Sequence, residues 1–384
     1  MPESPGTSTP GGALSWAVGL ESAVSTRPVV GGGAVYAGTE SGTVTRRASG
    51  DGAQVWTYDA GEPIRDLALE GGRVLAVSGT TELAAGHTLL ALDASSGERT
   101  WEFSPTGWWL ELVAAHAGQV YVATADDVLG DESETLYAIP VRTGEPAWSV
   151  ESIGTAREGV IGDDALYLST WERLHAFATA DGTERWAVRT PDPVGTTLGL
   201  ADGTVVQGHE PDDGGAFGVL AGFDAATGDR RWLFDDWSVT SVGTREGDLY
   251  AGGAAVAALD PADGTVRWES DAGGFVTGAG VGGERVYAGS ETLGAFDRES
   301  GERAWTWSPD PPQGGVQAAG VRDGTVYLDA YRDADPRNRY KFGVDADSGD
   351  GLWSFEDATD LTDLVLGDDL AVAGGRTGRL YALA

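Results

Sequence analysis

The chain has 384 residues, 60 of them acidic and 25 basic, for a net charge of −35. A charge this negative repels nucleic acid and anionic lipid, which excludes both as direct partners. There is no cysteine, hence no disulfide, thiolate nucleophile or cysteine-based metal site, and no apolar run approaches the roughly 18 residues that a transmembrane helix needs.

Residues 1–12, MPESPGTSTPGG, are rich in Pro, Ser, Thr and Gly and are predicted to be a disordered lead. They lack the positive n-region and apolar h-region of a signal peptide. Localisation therefore has two readings: cytoplasmic if Met1 is the native start, cell-surface or lipoprotein-anchored if a signal was removed. Next comes ALSWAV, Ala13 to Val18, a lone Trp-bearing strand with no partner before it.

A unit then recurs: an alternating apolar strand ending near an Asp, a Gly, and a Trp four residues after that Gly. The Trp positions are Trp16, Trp56, Trp101, Trp148, Trp186, Trp232, Trp268, Trp305 and Trp353, spaced 36 to 48 residues apart. A fixed period of this size marks a repeat architecture. The Gly allows positive φ in the hairpin turn, and Asp93, Asp224, Asp260, Asp297 and Asp345, four residues earlier, can bond the turn backbone. Another pair of runs lies upstream of each hairpin, such as RDLAL and GRVLAV joined by EGG. Each repeat therefore reads as four short antiparallel strands. Gly and Ala crowd the early strands and Trp the last, which is the small-inside, large-outside taper of a propeller blade.

Blades are predicted at about 28–58, 64–103, 109–150, 155–188, 196–234, 239–270, 275–308 and 315–355. The end, 361–384, supplies three strands and lacks a Trp strand, so residues 13–18 are predicted to complete it, closing the last blade and hiding its edge. The count is nine, with eight as the alternative, in one propeller domain over 13–384. Burying one Trp per blade stabilises by on the order of 4–6 kcal/mol gross. A Trp repeated in every unit is expected to pack blade against blade.

The segments GFDAATGDRRW, ALDPADGTVRW and AFDRESGERAW resemble the tryptophan-docking motif of the quinoprotein-like, pyrrolo-quinoline quinone repeat β-propellers. The resemblance extends over essentially the whole chain, although Pro140 and Ala178 stand where two of the motif's Asp residues would be. It implies a propeller that either scaffolds a protein, like the propeller lipoproteins that assist envelope assembly, or holds pyrrolo-quinoline quinone with calcium. The adjacent-cysteine pair that the resemblance associates with quinone-dependent alcohol dehydrogenases is missing. Acidic excess with a single lysine, Lys341, resembles the proteome of a salt-adapted archaeon. In that setting a bacterial outer-membrane role would not apply, and the acidic surface is an adaptation to solvent.

Function is expected where insertions gather. With the first strand innermost, the second-to-third and blade-to-blade connections share one face. They contain 78–88, 124–135, 207–218 and 330–342, with joining segments 104–109, 234–237 and 307–315. Near this face Trp108, Trp109, Trp237 and Trp307 fall outside the docking register, as partner anchors or as caps on the core; Trp171 is expected to pack within its blade. His209 and His87 lie on insertions, His116 in a turn and His175 at a strand start, without metal-ligand spacing. Arg332, Arg337 and Arg339 with Lys341 form a basic cluster that grips an anionic ligand or neutralises the neighbouring Asp residues. Asp126, Asp127 and Asp131 supply oxygens for calcium but lack the order of a known calcium loop; no metal site is assigned. The expectation is a monomeric, non-catalytic scaffold that binds a protein or peptide and needs no cofactor. The alternatives are a quinone- and calcium-dependent dehydrogenase and a structural or sensory module of an exported protein.

Overall fold

The computed structural model describes residues 13–80, 86–105, 109–125, 134–190, 198–209, 218–273, 276, 278–310, 314–332, 335–357 and 361–383. They form nine four-stranded antiparallel sheets and no helix, a β-propeller of nine blades. Blades one to eight span 29–59, 64–103, 109–151, 156–189, 199–234, 239–270, 278–307 and 315–356, each in the strand order of the chain. Blade nine is 365–383 with Leu14–Gly19 added at its edge, Val18 facing Leu380 and Gly19 facing Arg379. The count is nine rather than eight.

Two compact units make up the chain, 1–155 with 336–341 and 353–384, and 156–335 with 342–352. The first holds blades one, two, three and nine; the second holds blades four to seven.

Within each unit the core lies between neighbouring blades. Tyr36, Val44 and Trp56 of blade one pack with Ile64, Val74 and Leu92 of blade two. Leu220, Trp232 and Phe234 of blade five pack with Val239, Leu249 and Leu259 of blade six. Alternation explains this: the middle strands, such as Arg73–Ser78 and Thr88–Asp93, are buried on both sides, whereas the fourth strand Gln54–Asp59 buries Trp56 between exposed residues. Close approach needs missing side chains. A Cβ at Gly38 would stand 2.5 Å from Ile64 of the next blade.

The docking turns have one geometry. Trp56 Nε1 donates to Ala94 O at 3.0 Å, Trp101 to Val141 O at 2.7 Å, Trp186 to Ala225 O at 3.0 Å, Trp232 to Pro261 O at 2.9 Å and Trp268 to Arg298 O at 2.9 Å. The acceptor belongs to the following blade, three residues before its turn Gly. That Gly has φ near 75°, and its face is covered by the same Trp: a Cβ on Gly97 would lie 2.6 Å from Trp56, and one on Gly264 2.6 Å from Trp232. Trp16 of blade nine repeats the arrangement on Ser49 O and Gly52 of blade one.

The sequence reading overlooked a second repeated residue. Tyr36, Tyr121, Tyr167, Tyr250 and Tyr287, in the second strands, stand against the docking Trp of their own blades with centroids 5.8–6.0 Å apart. Tyr167 OH donates to Ala225 O at 3.1 Å, so one carbonyl receives both the Tyr and the Trp of blade four. The signal was a Val or Leu followed by Tyr at a constant place in most repeats.

One predicted insertion is largely strand. Thr325–Arg332 and Asp335–Asp345 prolong a hairpin through most of 330–342, because the Tyr and Phe alternating with polar residues there continue the pleat.

Candidate functional site

The connections differ at the two ends of the blades. At one end the first-to-second and third-to-fourth strands join through tight turns, such as Glu70 to Arg73 and Asp93 to Arg99. Asp93 Oδ1 accepts from the backbone of Ser95 at 3.0 Å and Ser96 at 3.1 Å, and Asp224 Oδ1 does the same for Ala226 and Thr227 at 2.8 and 2.9 Å. The Ser95 hydroxyl and these turn amides hold the Asp93 carboxyl below its ordinary range; for Asp224 the Arg231 guanidinium contributes first. At the other end the second and third strands are separated by 79–87 in blade two, 126–134 in blade three and 210–218 in blade five.

The structure disperses the predicted site residues. Trp109, at the start of the first strand of blade three, stacks on His87 with centroids 5.6 Å apart and planes at 2°. His87 is itself buried; its Nδ1 accepts from Leu110 N at 3.2 Å, so its Nε2 donates to Thr80 O at 3.0 Å. Trp237 meets Phe234 edge-on at 5.1 Å, packs on the core of blades five and six, and donates to Glu269 Oε2 at 2.9 Å. Trp307 meets Phe342 at 5.0 Å. These three tryptophans are half-buried, each against residues of its own chain. His209 ends the second strand of blade five and is 2% exposed. Trp108, Asp126, Asp127 and Asp131 lie outside the described residues, and of Arg332 and Arg337 only the backbone is described, in the hairpin of blade eight. Lys341 departs from its predicted cluster: it is fully buried, with Nζ donating to Thr362 O at 2.9 Å.

Trp171 also departs from expectation. The turn between the second and third strands of blade four leaves it 42% exposed, with the Arg157 guanidinium 4.0 Å above its ring. The stacked cation covers one face and keeps the indole presented at the end of the blade where blade five, in the same unit, carries its insertion. Trp171 was misread because a Trp beside a strand ordinarily faces inward; its place in a tight turn reverses that.

At the opposite, tight-turn end of blades six and seven a cavity of about 610 Å³ is lined by Asp248, Tyr250, Arg267, Glu284, Asp297 and Arg298, among others. Arg298 bonds Asp248 at 2.8 Å, Glu246 at 3.1 Å and Tyr250 OH at 3.1 Å, while Arg267 bonds Asp248 at 3.0 Å and Asp260 at 3.2 Å. Burial opposes the charge of Asp248, but the Arg298 and Arg267 bonds hold its carboxyl below the usual range. This network clamps blade six to blade seven. Among the described residues no three His, Asp or Glu side chains stand where one metal ion could be held. These described residues offer a calcium-bound quinone no ligand set.

The sequence matches the family model described as outer membrane protein assembly factor BamB over residues 6–86, 65–156, 132–253 and 252–384. It is 26% identical over 186 residues to the outer membrane protein assembly factor BamB of Burkholderia pseudomallei (strain K96243), across 46% of this chain and 48% of that protein. The chain thus spans about half the length of that curated relative. Among solved structures, BamB from Moraxella catarrhalis aligns with a TM-score of 0.58 at 19% identity, covering 98% of this chain and 99% of that one. Quinohemoprotein alcohol dehydrogenase ADHIIG from Pseudomonas putida HK5 aligns with a TM-score of 0.56 at 13% identity, covering 96% of this chain and 75% of that one. At these identities the structural likenesses show the fold alone.

Proposed function

Because the chain belongs to the family described as outer membrane protein assembly factor BamB, we propose that it is a non-catalytic propeller scaffold. In this reading it binds a protein or peptide at the insertion-bearing ends of its blades. The observation that carries the reading is Trp171, exposed at that end of blade four under Arg157, while Trp109, Trp237 and Trp307 are engaged with their own protein. An exposed indole is the side chain that partner contacts most often use as an anchor. A fixed scaffold with variable connections on one side concentrates recognition there. The Burkholderia relative is an outer membrane protein assembly factor, which agrees with a protein-handling role. A quinone-dependent dehydrogenase has only likeness of fold behind it, and fold does not decide function.

The test is affinity capture in molar salt with the native protein and Trp171→Ala. Retained folding, by near-ultraviolet circular dichroism, together with at least tenfold less captured partner supports the reading. Equal capture by Trp171→Ala contradicts it.

A further inference from the structure

Blade four departs from the rest of this acidic molecule. Arg173 and Arg189 are directly opposed across its third and fourth strands, Cα partner to Cα partner, and both are exposed. Like charges in that position destabilise a sheet. Arg189 is 80% exposed, with Glu172 at 3.6 Å as its ion pair; among the described residues neither Arg157 nor Arg173 has one. Arg157 stands over Trp171 in the adjoining turn, and Thr190 N donates to Glu172 O at 2.9 Å, which ties that turn to the end of the fourth strand. Three arginines and an exposed Trp therefore share one end of one blade, in a chain whose net charge is −35.

Beside them runs a groove of about 200 Å³ lined by Val188, Arg189, Thr190, His209, Phe223, Gly228 and Arg230. Among these residues there is no carboxylate. Thr190 is 4% exposed, and its Oγ1 has no hydrogen-bond partner among the described residues. A buried hydroxyl left without a partner costs about 1–3 kcal/mol, and here it lines a groove whose charged residues are both arginines. An oxyanion entering the groove would accept from Thr190 Oγ1 and from Arg189, supplying the missing bond and offsetting the Arg173–Arg189 repulsion.

We propose that this end of blade four binds a carboxylate-bearing peptide segment, with one carboxylate in the groove at Thr190 and Arg189 and the chain laid across Arg173 and the Arg157–Trp171 stack. The inference rests on the protein-binding reading above and narrows it to an acidic partner segment. The partner's own negative charge is compatible with a chain this acidic because molar salt screens charges beyond about 3 Å while contact ion pairs persist.

The test titrates a capped hexaglutamate peptide against the full chain in 1 M KCl, read by Trp fluorescence and by calorimetry. Hexalysine and inorganic phosphate are the other arms, and the variants are Arg173→Gln with Arg189→Gln, and Thr190→Val. The proposal expects saturable binding of hexaglutamate alone, weakened at least tenfold in the double arginine variant and severalfold in Thr190→Val, with melting temperatures of both variants equal to or above that of the native protein, because each substitution also removes a destabilising feature. No hexaglutamate binding, equal binding by the arginine variant, or preference for hexalysine overturns it. Phosphate saturating the groove and displacing the peptide overturns the peptide assignment in favour of a free-anion site. Partner capture that depends on Trp171 but survives the double arginine substitution would uphold the scaffold reading while overturning this one.

Discussion

The contact that repeats through the molecule joins a Trp indole to the Gly and carbonyl of the next turn. Gly264 has φ +73° and carries Trp232 on its face. Gly264→Ala therefore adds backbone strain and forces the ring away, and is expected to destabilise by about 1–3 kcal/mol; a denaturation midpoint equal to that of the native protein would contradict the docking geometry. The motif's Gly-to-Trp step was legible in the sequence, and so was its role between blades. Which Gly each Trp covers was not legible, because a period repeats the residue types without saying whether a Trp docks on the blade before it or the blade after it. A second residue-scale test concerns Asp66, whose carboxyl is pushed up by burial, with the Leu67 amide and Arg27 acting in the opposite direction. A folded-state pKa above the unfolded value means that stability falls as pH rises through that interval. Asp66→Asn is accordingly expected to raise Tm at pH 7, with the gain vanishing near pH 3; a lower Tm at pH 7 would show that the charge is needed. The turn carboxylates behave oppositely. Asp93, Asp224, Asp297 and Asp345 are held low, the last two chiefly by the backbone amides of Ser300 and Ser348. Their stabilisation is present above about pH 4, the unfolded value, and is lost as pH falls through their lower folded values.

Among the elements, the N-terminal strand is the one whose removal is most informative. Leu14–Gly19 pairs with Arg379–Leu383, and Trp16 docks on blade one through Ser49 and Gly52. Without it the first unit loses a buried Trp and gains an open strand edge. Deletion of residues 1–19 is expected to lower Tm markedly and to promote self-association, and a synthetic 13–19 peptide added in trans should recover part of the loss. An unchanged Tm would contradict the closure. Blade boundaries were legible to within a few residues because each blade carries its own turn signals and its own Trp. The hairpin of blade eight was not: DADPRN has the composition of a loop, yet its residues 335–338 lie in the strand Asp335–Asp345. Lys341 was misplaced for a related reason. A charged residue beside arginines reads as surface, whereas this one occupies a middle strand and satisfies its ammonium on the Thr362 carbonyl.

For the whole molecule, the net charge of −35 sets the conditions under which the fold is stable. Repulsion acts over about 30 Å at 0.01 M salt and about 3 Å at 1 M. Thermal unfolding should therefore show Tm rising steadily with KCl over that range; a flat or falling Tm would mean that the acidic surface does not govern stability. The same charge makes the arginines around Trp171 exceptional, and neither composition nor period revealed them. Arg157, Trp171, Arg173 and Arg189 are separated in sequence and converge only when blade four folds. Partner binding at the insertion-bearing ends of the blades is best read by amide hydrogen exchange with and without a captured partner. Added protection is expected at 171–173 and at His209 and Gly218, with the docking turns near Gly264 and Gly301 unchanged. Protection confined to those docking turns would place the partner at the opposite ends of the blades and overturn the proposed binding surface.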